Sequence, residues 1–276
     1  MIKTDNFIKE WNILLLRMDN NKQYLEQALE LCEKEHIFEK LKTCGEPLFL
    51  MISGAHNFGF PSKDSDIDIR GVYSSDSKSF FDIKPKERKV FEFMSKDRKL
   101  DVSVDELRHY LQLVASSNGN RIEWPFSDLI IYQSPDFQQL RDSVKENALS
   151  KKIFNHYLNF ARDMWSGKTK AEGVKKDLYA LRVYMTGITI LEEGYVCSDI
   201  SRLNKRFNEQ IIEPMLKIKY FGERGVARGY DRRELERVIQ DLDKGLISAY
   251  HKSNLQNNPN TEALNKFHQN YRIKKL

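Results

Sequence analysis

The stretch that most constrains this chain is ISGAHNFGFPSKDSDIDIRGVY, residues 52–73. It begins inside PLFLMISG, a short continuous apolar run ending at Gly54, which reads as a buried strand. A loop of small and turn-forming residues follows. DIDIRGVY then alternates strictly, which puts Asp66 and Asp68 on one face of a second strand and Ile67 and Ile69 on the other. Two carboxylates held that close repel one another, and a cation relieves the repulsion. Mg²⁺ suits such a pair because it takes hard oxygen ligands, commonly one or two carboxylates plus substrate phosphates. A third carboxylate from a neighbouring strand would complete a site for two ions roughly 3.5–4 Å apart. Asp101, in the strand-like KLDVSV, is in the right kind of place. A lone D-x-D also describes an acidic surface strand; the glycine-bearing strand end just upstream is what raises the signal.

The rest of the chain supplies a small sheet and many helices. KQYLEQALELCEKEHIFEKL spaces Leu25, Leu29 and Cys32 as a helix does, and the first 40 or so residues read that way throughout. KVFEFM and LDVSV are further strands, and Asp105 reads as the N-cap of ELRHYLQLVASS, a helix closing near Asn118-Gly119. Beyond about residue 133 the pattern is helical. Asp231 followed by Glu234 forms a capping box, Gly194 is a C′ glycine, and the segment from about Ser253 reads as a loose, finally basic tail. The expected fold class is α/β (α+β), with a small mixed sheet in residues 1–150 and an all-helical domain in 151–276.

Charge separates the same two halves. Residues 151–276 hold 24 Lys and Arg against 15 Asp and Glu, whereas residues 1–150 hold 21 against 25. That contrast suits a metal-binding part beside one that meets phosphates, and it equally suits solvated helices rich in lysine. The three cysteines, Cys32, Cys44 and Cys197, have no paired spacing, which fits a reducing cytoplasm. No run approaches the ~20 apolar residues of a membrane span, and the charged N-terminus does not read as a secretory signal. P-loop, H-E-x-x-H and G-x-S-x-G motifs are all missing from the sequence.

GAHNFGF followed by SDIDIRGVY resembles the G-S-x-x-Y-G and S-D-x-D-x-R-G-V signature of the RNA-repair-pathway polymerase beta family, within the DNA polymerase beta nucleotidyltransferase superfamily. The resemblance continues through LDVSVDELRHYLQLVASSNGNRIEWPFSD and covers roughly residues 48–135. It implies a polymerase beta-like domain moving a nucleoside monophosphate from an NTP, ATP foremost, to an acceptor hydroxyl with release of pyrophosphate. Asp66, Asp68 and Asp101 would be catalytic and would hold two Mg²⁺ or Mn²⁺ ions. Ser53, Gly54, Ala55, His56 and Arg70 would meet the nucleotide, and an RNA or tRNA end would be the acceptor. One departure stands out. Ala55 occupies the place where the superfamily usually has Ser or Gly, so a phosphate-binding hydroxyl is lost and the turn's backbone N–H groups are left to serve.

Other candidates carry two readings each. Arg70 binds phosphate or pairs with the neighbouring Asp66 and Asp68. Glu123 orients the site or caps a turn before Pro125. Lys175, Tyr179 and Arg182 fall on one helix face, which either meets the nucleotide or is simply solvated. Arg224, Arg228, Arg232 and Arg233 around glycines either grip a polynucleotide backbone or lie in an exposed loop, and the scattered Trp11, Trp124 and Trp165 form no stacking platform. Protein- or small-molecule-modifying transfer, and a non-catalytic nucleotide- or RNA-binding role, remain open alternatives.

Overall fold

The structure is a computed structural model in which residues 21–78, 83, 88–168, 173–221 and 229–276 are described. Trp11, Arg224 and Arg228 lie outside the described residues, as does the part of the expected N-terminal helix before residue 21. Five strands form one mixed sheet: β1 (Glu46–Ile52), β2 (Ile67–Ser74), β3 (Val90–Met94), β4 (Leu100–Glu106) and β5 (Ile130–Gln133). Their order across the sheet is β3-β4-β2-β1-β5. β1 pairs antiparallel with β2 and β5, β2 runs parallel to β4, and β3 returns antiparallel along β4.

The sheet is covered on both faces, which explains the unbroken apolar run of β1. Leu50, Ile52, Ile67 and Ile69 pack on one face with Ala28 and Cys32 of α1 (residues 21–34) and with Ile37 and Leu41 of α2 (Ile37–Lys42). Phe49, Met51 and Val72 belong to the opposite core, with Tyr110 of α4 (Leu107–Ala115) and Leu140 of α6 (Phe137–Asn147). Strand alternation therefore sends Asp68 and Arg70 away from Ile67 and Ile69, toward the face that the remaining helices approach.

That second core runs on into α7 (Ile153–Ser166), α8 (Gly173–Glu193), α9 (Ile200–Phe207), α10 (Ile212–Tyr220) and α11 (Arg232–Lys252). α8 is buried at every position from Asp177 to Leu191 except Tyr179, with α7, α9, α10 and α11 packed around it. A helix surrounded this way is apolar nearly all round instead of along one stripe. Asp231 caps α11, its side chain accepting from the backbone N–H groups of Arg233 and Glu234, which is the N-cap half of the expected capping box. Gly194 follows α8 with a φ of 63°.

Two expectations are corrected. Glu106, not Asp105, caps α4, its carboxylate accepting from the Arg108 N–H at 2.7 Å. Asp105 is instead fully buried and ion-paired with Arg121. The segment after Ser253 is no loose tail: α12 (Thr261–Lys274) packs on α4 and α6. Its Arg272 is buried and bonds to Ser74, to the Ser75 carbonyl and to Glu106. Asn and Gln richness hid the helix because its anchors are the buried Leu264 and Tyr271 and ion pairs of Arg272 with Glu106 and of Lys274 with Asp136, long-range contacts that composition does not reveal.

Candidate active site

In the parallel register of β2 and β4, Asp68 stands opposite Asp101. Arg70, two residues further along β2, joins them: its Nη2 donates to Asp68 Oδ1 at 3.1 Å and to Asp101 Oδ2 at 2.8 Å. Its Nη1 donates to the carbonyls of Ile69 and Asp101 at 2.9 and 3.0 Å. Of the two readings of Arg70, the structure shows the ion pair. Burial pushes the Asp68 carboxyl up to about 6, opposed by Arg70 and reinforced by the negative charges of Asp66 and Asp101.

Asp66 precedes β2 and is exposed. Among the described residues, no three His, Cys, Asp or Glu side chains gather closely enough to hold a metal ion. The structure sets Asp68 opposite Asp101 in register, with Asp66 near enough for its charge to raise Asp68. The pair's chemistry fits a hard cation: two facing carboxylates, one driven toward protonation, with a guanidinium as their counter-charge.

Gly54 opens the one-turn helix α3 (Gly54–Asn57) and packs this turn against Asp68. It follows β1 with a φ of 62°, and a Cβ on it would lie 2.0 Å from Asp68 Oδ2. The Ser53 N–H donates to the Asp68 carbonyl at 2.7 Å, tying the turn to β2. The next residues face inward. Ala55 joins the core, and the His56 ring meets Tyr24 edge-on with centroids 4.7 Å apart. Burial, and secondarily the charge of Lys219, lowers His56 to about 4, so the imidazole is neutral at pH 7. Neither residue lines the cavity beside Asp68.

That cavity, of about 230 Å³, lies between the sheet and the helices. Ser53, Gly54, Asp68 and Arg70 form its sheet side, and Tyr179 and Arg182 of α8 face them. Lys175, one turn earlier, does not line it. Arg182 is fully buried, with Nη1 donating to Glu123 Oε2 at 2.7 Å and its guanidinium 4.0 Å from the centre of the Phe58 ring. Tyr157 holds the other Glu123 oxygen at 2.8 Å. Burial raises the Glu123 carboxyl against the pull of Arg182. Glu123 thus holds Arg182 with its side chain, and at the N-cap of the Trp124–Phe126 turn it makes no side-chain capping bond. Arg182 Nε and Nη2 are buried with no hydrogen-bond partner, so two strong donors stand at the cavity wall for acceptor oxygens.

Sequence reasoning missed Asn57, Phe58, Asn120, Arg121, Trp124 and Phe160 as lining residues. Arg121, on α5 (Gly119–Glu123), is aimed by Asp105 at 3.0 Å and by the Trp124 ring 4.5 Å beneath its guanidinium. The available signal was adjacency: GNRIEW contains Glu123 together with three of these six, Asn120, Arg121 and Trp124.

The chain matches the profile of the RNA repair pathway DNA polymerase beta family over residues 22–270. The chain belongs to that family. The membership supports a transferase of the polymerase beta-like nucleotidyltransferase class, with a nucleotide as substrate and divalent metals as the class's usual cofactors. The uncharacterized protein MJ0002 of Methanocaldococcus jannaschii is 30% identical over 224 residues, covering 79% of this chain and 90% of that protein. The uncharacterized protein YcgL of Bacillus subtilis is 33% identical over 193 residues, covering 67% of this chain and 72% of that protein. A nucleotidyltransferase-like protein from Exiguobacterium sibiricum overlays with a TM-score of 0.30 at 12% identity, across 90% of this chain and 80% of that one. A likeness so distant adds no weight to the assignment. No helix among the described residues is long and apolar enough to cross a membrane.

Proposed function

We propose that this family member transfers a nucleoside monophosphate from an NTP, ATP foremost, to a hydroxyl at an RNA or tRNA end, releasing pyrophosphate. The observation that carries this reading is the facing pair Asp68 and Asp101. Asp68 packs against the Gly54 turn and lines a cavity across from the unspent donors of Arg182, while Asp101 does not line it. The family's description and the basic second half of the chain support RNA as the acceptor.

Asp66, Asp68 and Asp101 would hold two divalent ions, Mg²⁺ or Mn²⁺, which supply charge neutralisation and acidify the attacking hydroxyl. The chain's own groups do the rest. Arg70 fixes the spacing of the two carboxylates through its shared Nη2. Gly54 lets the turn close onto the Asp68 carboxylate, where a Cβ would collide with Oδ2, and the turn's backbone N–H groups would meet the triphosphate. Arg182 and Arg121 present guanidinium donors to phosphate oxygens, each held in place by a buried carboxylate. Asp101 would bind one ion and help activate the acceptor's hydroxyl, as general base or through the ion's acidifying effect, as the new ester bond forms and pyrophosphate leaves. The helical part from residue 151 closes this cavity with Phe160, Tyr179 and Arg182.

The test is incubation with each α-labelled NTP, Mg²⁺ or Mn²⁺ and total RNA, followed by separation of RNA from protein. Label in RNA that disappears with Asp68→Ala supports the reading. Label in protein redirects it to a protein-modifying transferase, and no pyrophosphate release under any condition refutes it.

A further inference from the structure

The nucleotide cavity is small for its task. At about 230 Å³ it falls below the roughly 300 Å³ at which small-ligand sites begin, and two substrates must meet at one transferase centre. A second groove, of about 480 Å³, lies on the other side of Phe160, which lines both. The wall between them is α5 and the residue before it: Asn118 faces the groove and Asn120 the cavity.

The groove's lining is of a different kind. The cavity offers Arg70, Arg121 and Arg182 with Asp68, Glu123 and the amides of Asn57 and Asn120, whereas the groove has no arginine. With Lys152 and Asp163 it offers the amides of Asn118, whose Oδ1 accepts from the Arg121 N–H, and of Asn155 and Asn159, the last two exposed on α7. His156 and Phe160, with ring centroids 5.8 Å apart, add aromatic surface. Two polar atoms here are buried without a hydrogen-bond partner: His156 Nε2 and the Oγ of Ser117, a residue only 3% exposed. Ser117 also sits at a φ of 66°, and Gly119 permits the close approach of His156, since a Cβ there would lie 2.4 Å from its Cδ2. Burial lowers His156 to about 4, with Arg182 adding to the effect, so the ring is neutral at pH 7.

Amide side chains and aromatic edges without a guanidinium cluster are the means by which proteins read a nucleobase instead of a phosphate. Asn pairs with base edges through its donor and acceptor together, and unstacked bases rest on aromatic rings. We propose that this groove binds a nucleobase with its ribose, continuing from the phosphates held in the neighbouring cavity. The inference rests on the nucleotidyl-transfer reading. The base belongs either to the incoming nucleotide or to the terminal residue of the RNA acceptor, and the experiment separates the two.

The probes are ATP, GTP, CTP and UTP, inorganic tripolyphosphate, and a short single-stranded RNA oligonucleotide. Each is titrated against wild-type protein and the Asn155→Ala/Asn159→Ala double variant. Both positions are exposed, and the melting temperature verifies that the variant is folded. The expected result is binding weakened at least about tenfold, a loss of roughly 1.4 kcal/mol, for one class of nucleoside-bearing probe, with tripolyphosphate unchanged. Weaker NTP binding assigns the groove to the incoming base, and weaker oligonucleotide binding with intact NTP binding assigns it to the acceptor. Equal affinity of variant and wild type for all probes overturns the proposal while leaving the transfer reading standing. If the wild type binds neither NTP nor RNA, the transfer reading fails first.

Discussion

Asp68 and Asp101 stand opposite one another on adjacent parallel strands, and the Arg70 guanidinium bonds to both. Burying this pair costs stability. The folded Asp68 carboxyl is raised from its ordinary value of 3.8 to about 6 by burial and by Asp66 and Asp101 against Arg70. For an acid raised on folding, stability falls as pH climbs through the interval between the two values and stays low above it. Asp68→Asn is therefore expected to be more stable than wild type at pH 7.5, by about 1 kcal/mol after discounting for partial solvent access. The gain should vanish near pH 4, and urea unfolding at both pH values measures it.

Gly54→Ala should act in the opposite sense. The new Cβ would meet Asp68 Oδ2 at 2.0 Å in a backbone already at a φ of 62°. A loss of about 1–3 kcal/mol is expected from the strain, together with loss of nucleotide binding as Asp68 is displaced. Thermal melts and NTP titration report the two effects separately.

Arg182 and Glu123 form a buried ion pair whose halves depend on one another. Removing one partner strands the other, at a cost of about 3–5 kcal/mol, whereas replacing both with apolar groups of similar size costs far less. Arg182→Met alone should be strongly destabilising. Arg182→Met with Glu123→Leu should recover most of that stability without recovering triphosphate affinity. A double-mutant cycle by chemical denaturation, with tripolyphosphate binding alongside, distinguishes structural support from ligand contact.

His56 supplies a pH dependence. It is buried against Tyr24 and lowered from 6.5 to about 4 by burial and by Lys219. A histidine lowered on folding contributes stability that is complete above its unfolded value and is lost as pH falls toward the folded one. Between pH 6.5 and 5 its share of the loss is about 2 kcal/mol. His56→Leu should flatten the stability profile in that window, measured by urea midpoints at half-unit steps.

Much of this was legible in the sequence where local pattern and packing agree. The run PLFLMIS is β1, and the alternation of DIDIRGVY puts Asp68 and Arg70 on the site face, with Asp101 one strand away in register. Tyr179 and Arg182 reach the cavity from the face their spacing marked out, but Lys175 on that face does not line it. What periodicity missed depends on long-range contact. Asp105 resembles an N-cap until its pairing with Arg121, sixteen residues later, shows where its charge goes. α12 looks like tail until Arg272 meets Glu106, whose partner lies 166 residues away. His56 sits beside the glycine turn in sequence, yet its ring turns toward α1 because the short helix after Gly54 buries it.

The most direct test of the central claim is pyrophosphate release from NTP by purified protein, with RNA present and with Asp68→Asn and Asp101→Asn measured beside the wild type. Turnover is expected in the wild type, with a loss on the order of 10²–10³-fold in each variant, the scale of removing one charged contact from a preorganised site. Folded variants that release pyrophosphate at the wild-type rate would contradict the assignment of the facing carboxylates to catalysis.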